Sequence, residues 1–125
     1  MPTPTTDALQ TARAYHDAWT ARDFARATGL LAGDLTVEVP INDYPTRDSF
    51  ADALSGFGAM VEQTRLLSAL GNDSEATLIY DMDVTGLGTI RVAEHFTVHD
   101  GKIDRLRQIH DTTIIRQAGL GPQPA

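Results

Sequence analysis

One carboxylate stands where the surrounding pattern places only apolar side chains. In Ile90-Arg-Val-Ala-Glu-His-Phe-Thr-Val98 the alternation of a strand sends Ile90, Val92, Glu94, Phe96 and Val98 to one face. Burial without partners disfavours the carboxylate anion, raises its pKa and leaves a protonated group able to donate a hydrogen bond or act as a general acid. The plain structural alternative is a solvated strand end or an arginine partner. Inward-facing acids are more often paired or functional, so Glu94 is the first candidate for chemistry.

His110 is the second. Leu106, Gln108 and His110 share a face of the last strand if a bulge just after Asp100-Gly101 resets the register. Gln108 then lies beside Glu94 and His110 on the diagonal, within the ~7–8 Å cross-strand reach that lets the two exchange a proton. A histidine alone on an apolar face is more often a satisfied core residue. Tyr15 and Trp19 project from a helix toward the same sheet, where a phenol can donate to a ligand carbonyl and an indole can wall an apolar pocket, although aromatics at helical spacing are more often plain core. Tyr80 and Met82 alternate with Asp81 and Asp83. The apolar pattern turns Tyr80 and Met82 inward, whereas a two-residue Gly86-Leu87 turn turns the acids inward, because a one-residue slip flips every side chain. The apolar pattern is preferred here. Catalysis is therefore assigned to Tyr15, Glu94 and His110, and substrate contacts to Trp19, Val39, Phe57, Met60, Tyr80, Met82 and Gln108. No metal site is expected, because His95 and His99 lie four apart in a strand with no third ligand placed. No cofactor is expected either: Gly86-Leu-Gly88 is a turn with no helix after it.

These residues need elements to position them. Ala8, Ala12, Tyr15 and Trp19 form one stripe of a helix opened by Thr6 and Asp7. Asp23 caps a second helix that buries Phe24, Ala27 and Leu31 and stops at Gly33. Leu35-Thr-Val-Glu-Val39 reads as a strand, and Asp48 as the cap of a third helix carrying Phe50, Leu54, Phe57 and Val61. The period then becomes two, with strands expected at 65–70, 76–84, 88–98 and 102–115, and Asp100-Gly101 gives the strongest hairpin signal. Helices followed by hairpin-linked strands imply an α+β domain, a curved antiparallel sheet wrapped around three N-terminal helices with a cone-shaped interior suited to a small molecule. Residues 1–5 and 117–125 read as a disordered and a flexible tail around a single domain at 6–116.

Composition sets the outer bounds. The chain has 125 residues, 42% hydrophobic and 22% charged, which suits one globular domain. A net charge of −7 with no basic stripe argues against nucleic acid as a partner. No apolar run approaches the ~20 residues of a membrane span, and the first residues lack a secretory pattern, so a cytoplasmic location without membrane contact is expected. With no cysteine, disulfides and thiolate chemistry are excluded.

The layout resembles the nuclear transport factor 2-like superfamily, which includes ketosteroid isomerases, limonene epoxide hydrolase, scytalone dehydratase and SnoaL-like polyketide cyclases. The resemblance runs from Ala12-Arg-Ala-Tyr-His-Asp-Ala-Trp19 through Leu31-Ala-Gly-Asp-Leu-Thr-Val-Glu-Val-Pro40 to Ala93-Glu-His-Phe-Thr-Val-His-Asp-Gly-Lys-Ile103. It implies a cystatin-like α+β cone. It aligns Tyr15 with the isomerase tyrosine that donates to the steroid oxyanion, and Glu94 with the protonated aspartic acid beside it. The isomerase base falls at Val39, an apolar residue that cannot take a proton, and the epoxide hydrolase Asp-Arg-Asp set is not reproduced. His110 occupies a pocket-wall position that is aromatic in the isomerases. The implied activity is cofactor-independent isomerisation, cyclisation or dehydration of a small apolar carbonyl compound, with Tyr15 and Glu94 stabilising an enolate oxygen and His110 moving the proton. The other class is a non-catalytic domain of the same fold that binds a small hydrophobic ligand or mediates association. A homodimer through the outer sheet face, built on Arg91, Ala93, His95, Thr97, Arg105, Arg107 and Ile109, is expected on the same resemblance.

Overall fold

The computed structural model describes residues 7–40 and 42–117. Asp7 opens the first helix, α1 (Ala8–Thr20), where its carboxylate accepts the Gln10 N–H at 2.8 Å. The expected stripe of Ala8, Ala12, Tyr15 and Trp19 is buried along its length. Asp23 caps α2 (Phe24–Gly29) by accepting from the Arg26 N–H. This helix is shorter than its pattern suggests and does not reach Gly33. The Ile103 N–H donates to the Leu30 carbonyl at 2.8 Å, which draws the chain into extended pairing, and Leu31 is buried as the first residue of β1 (Leu31–Glu38).

The third helix, α3 (Arg47–Gly58), is capped by Thr46 and not by Asp48. Thr46 is extended and its hydroxyl accepts the Ser49 N–H, while the Ser49 hydroxyl accepts the Thr46 N–H, both at 3.1 Å. This reciprocal pair satisfies two orphan donors, and Asp48 is left in the first turn, where its charge suits the helix dipole. The helix ends at Gly58, where a Cβ would meet the Phe24 ring at 2.7 Å. The absence of a side chain lets the end of α3 sit against α2.

Strands β2 (Val61–Gly71), β3 (Glu75–Val84), β4 (Gly88–His99) and β5 (Lys102–His110) follow as an antiparallel meander. The last strand stops at His110, short of Ile115. The Asp111 carboxylate accepts the Thr113 N–H at 2.9 Å and turns the chain into a short helix, α4 (Thr113–Gln117), that buries Ile115. Gln117 is thus helical; the tails expected at 1–5 and beyond 117 lie outside the described residues. The sheet order is β1-β5-β4-β3-β2, and β1 joins β5 in parallel, so the curved sheet is mixed and unclosed rather than wholly antiparallel. The fold is α+β, with α1 and α3 packed in the concavity of the sheet.

Two register details place the site. Thr97 pairs with Arg105 and Val98 with Ile103, so Asp104 is an extra residue in β5 just after the Asp100-Gly101 turn. That is the bulge needed to turn Leu106, Gln108 and His110 inward. In the β3–β4 hairpin Val84 pairs with Gly88, so Thr85, Gly86 and Leu87 form the loop, with Gly86 in the left-handed region at φ 79°. This loop is one residue longer than a Gly86-Leu87 turn. Tyr80 and Met82 accordingly face the core, while Asp81 and Asp83 face outward to Arg91 and Arg65 at 2.7 and 2.9 Å.

Candidate functional site

A cavity of about 140 Å³ lies between the concave sheet face and helices α1 and α3. Its wall is mostly ring and aliphatic carbon, and its polar groups are few: the Tyr15 and Tyr80 hydroxyls, Glu94, Gln108 and His110, with Asn42 also on the wall.

Glu94 is the polar centre. It is 1% exposed, and the whole expected inward set around it is buried. The Tyr80 hydroxyl donates to its Oε1 at 3.1 Å and the Gln108 amide donates to its Oε2 at 2.7 Å. Burial raises the Glu94 pKa from 4.5 to about 7; the two hydrogen bonds favour the anion and offset only part of that rise. Gln108 pairs directly with Glu94 across the β4–β5 ladder, and His110 pairs with Val92, one diagonal step away. Both relations follow the bulge argument made from the sequence.

The tyrosine bound to Glu94 is Tyr80 and not Tyr15. Tyr80 pairs with Val92, and its longer reach brings the hydroxyl to the carboxyl. The Tyr15 ring is fully buried edge-on against Phe96, with ring centroids 5.8 Å apart, and its hydroxyl has no hydrogen-bond partner among the described residues. Burial first, and the neighbouring Glu94 charge second, push the phenols of both Tyr15 and Tyr80 well above 10, so each remains a protonated donor.

His110 borders the cavity, and its Nδ1 lies 3.0 Å from the Asp111 carbonyl. A carbonyl only accepts, so Nδ1 carries a proton in this contact, and in the neutral ring the lone pair is on Nε2. Trp19, Val39, Phe57, Tyr80 and Met82 all border the same space. Met60 does not. Because α3 ends at Gly58, Met60 falls in the turn to β2, where its carbonyl accepts the Thr85 N–H at 2.9 Å.

Sequence reasoning missed several wall residues. Phe50 and Leu54 stand on the apolar side of α3, which the pattern marks only as core, and Tyr44 stands in what reads as a plain loop; its ring packs edge-on to Phe50 at 5.7 Å. Ile115 reaches the wall only through α4. His16 carries no such signal either. It is buried behind the wall against Trp19 and Tyr80, with ring centroids 5.5 and 4.7 Å away. Its Nδ1 has no partner among the described residues, and burial lowers its pKa more than Asp17 raises it. The helical spacing of His16 and Trp19 carries no signal that both rings meet the same strand residue, Tyr80.

Among the described residues no helix is long and apolar enough to cross a membrane. A protein from Kribbella flavida DSM 17836 of known structure is 39% identical over 91% of this chain and 94% of its own, with a TM-score of 0.86. An NTF2-like protein of unknown function from Cytophaga hutchinsonii shares the fold at 15% identity and a TM-score of 0.75, covering 91% of this chain and 99% of its own. An LEH-like epoxide hydrolase from M. tuberculosis shares it at 19% identity and a TM-score of 0.72, covering 92% and 90%. The search of curated proteins finds no match. The SnoaL-like domain model matches residues 12–106, most of the chain. The chain therefore belongs to the SnoaL-like domain family, within the NTF2-like superfamily.

Proposed function

We propose that the protein is a cofactor-independent acid/base enzyme that isomerises, cyclises or dehydrates a small, mostly apolar carbonyl compound in the cone cavity. The observation that carries this reading is Glu94: a fully buried carboxyl on an apolar wall, held by Tyr80 and Gln108, with a pKa of about 7. Such a group changes protonation near neutral pH, where proton transfer is most useful.

The roles follow from the donors and lone pairs. His110 Nε2 takes a proton from carbon next to the carbonyl, and the C–H electron pair moves through the new C=C bond onto oxygen. The unpaired Tyr15 hydroxyl and the carboxylic acid form of Glu94 donate to that oxygen; one preorganised donor of this kind is typically worth ~3–4 kcal/mol. The His110 imidazolium then returns its proton to another carbon, completing an isomerisation, or to a departing hydroxyl, completing a dehydration. Val39 has no proton-accepting group, so the base is assigned to His110.

A second reading is a non-catalytic ligand-binding or dimeric association domain. It is favoured by one fact: both Glu94 oxygens already have protein donors, so the carboxyl is satisfied without a substrate. Incubation with small ketones in D2O, followed by NMR, separates the two. Deuterium entering next to the carbonyl, and lost in Glu94→Gln and His110→Ala, supports the enzyme. Saturable binding with no exchange above the uncatalysed rate supports the binding domain.

A further inference from the structure

We propose that the ligand of this cavity is an uncharged single-ring carbonyl compound with about six to eight non-hydrogen atoms. The inference rests on the acid/base reading of the same site and deepens it by assigning size and charge. Size comes from the space. A cavity of about 140 Å³ is close to the ~150 Å³ apolar cavity that accepts benzene, and well below the ~300 Å³ at which drug-sized pockets begin. Phe57 and Trp19 bound this space, and Trp19 is itself packed against His16 and Tyr80, so the wall has little freedom to yield to a second fused ring.

Charge comes from the polar groups. No lysine or arginine borders the cavity among the described residues, so a carboxylate or phosphate would be buried beside the Glu94 carboxyl without a permanent countercharge, the His110 imidazole being cationic only when it has taken a proton. An ammonium ion would find aromatic faces and one carboxyl, which is the usual setting for cation binding. It nevertheless supplies only donors, and the Tyr15 hydroxyl is a buried donor that lacks an acceptor. Both Glu94 oxygens are also already engaged by neutral donors. A neutral carbonyl oxygen answers the Tyr15 donor, and its ring fills the apolar remainder.

Four probes that share a six-membered carbocycle test size and charge separately: 2-cyclohexen-1-one, cyclohexanecarboxylate, cyclohexylammonium and a fused two-ring enone. Each is titrated into the full chain and followed by chemical shifts of the cavity residues. The single-ring enone is expected to bind at least about tenfold more tightly than each of the others, and Tyr15→Phe to weaken it by about tenfold. A fused enone or either ion that binds as well as the single-ring enone overturns the proposal, as does the absence of saturable single-ring binding up to ~10 mM. Deuterium exchange in the same samples keeps the two readings apart. A bound single-ring enone without exchange removes the acid/base chemistry and leaves the ligand class standing. Exchange confined to the fused enone removes the ligand class and leaves the chemistry.

Discussion

The Tyr80 hydroxyl donates to Glu94 Oε1 at 3.1 Å, linking residues fourteen positions apart on adjacent strands beneath the cavity. Through that bond a buried acid is held by a group that cannot neutralise it. A cation would have pulled the Glu94 pKa down, whereas neutral donors leave burial dominant.

Glu94 should therefore make the protein less stable as pH rises. Its folded pKa of about 7 exceeds the ordinary 4.5, so the folded state binds the proton more tightly. Its stability contribution is fully present below pH ~4.5 and is lost as pH rises through ~7, up to about 3 kcal/mol in all. Glu94→Gln should flatten this part of the profile and be at least as stable as the parent at pH 8. Urea melts at pH 5 and pH 8 check this; an unchanged slope would show that Glu94 ionises without cost.

His16 should act in the opposite direction. Its folded pKa lies below the ordinary 6.5, so its contribution is complete above that value and falls as the ring is forced to take a proton in acid. His16→Phe keeps an aromatic ring against Trp19 and Tyr80 and removes the titration. Loss of stability between pH 6.5 and pH 4.5 should be smaller in this variant, measured by the same melts.

Tyr15→Phe should separate stability from function. The hydroxyl is buried without a partner, so deleting it removes a desolvated donor and should leave the protein as stable or about 1 kcal/mol more stable. Ligand binding or turnover should fall in the same variant. A Tm lower by several degrees would show that the hydroxyl has a structural partner.

Trp19 is 4% exposed and bridges α1 to Tyr80, with ring centroids 6.0 Å apart, while bordering the cavity. Trp19→Ala should cost ~3–5 kcal/mol as well as binding. An unchanged thermal melt would contradict this packing.

The outer sheet face should pair two copies. Ile109 is 74% exposed and stands in one cross-strand row with Ala93 and Ile79 on that face. A mixed apolar and charged surface of this kind suits a non-obligate interface. Sedimentation should give a dimer of the 13.5 kDa chain at tens of micromolar and a monomer for Ile109→Asp. A parent that remains monomeric counts against the interface.

Residue types and period alone determined the inward face of β4 and the place of Glu94 on it, because a strand's alternation has only two phases and four apolar neighbours select one. The same holds for the Tyr15–Trp19 stripe, and for the diagonal of Glu94 and His110 once the Asp100-Gly101 turn and its bulge are granted. Element ends were harder. The pairing of Leu31 with Ile103 and the Asp111 turn ahead of α4 take Leu31 and Ile115 out of the elements their local pattern suggests. Which tyrosine binds Glu94 was decided only by the tertiary structure. Tyr15 and Tyr80 are chemically identical, and the choice depends on a one-residue difference in the β3–β4 loop and on how closely α1 packs on the sheet. Cavity size belongs to the same category. It is the small difference between the volume the sheet encloses and the volume the helices fill, and no local pattern encodes that difference.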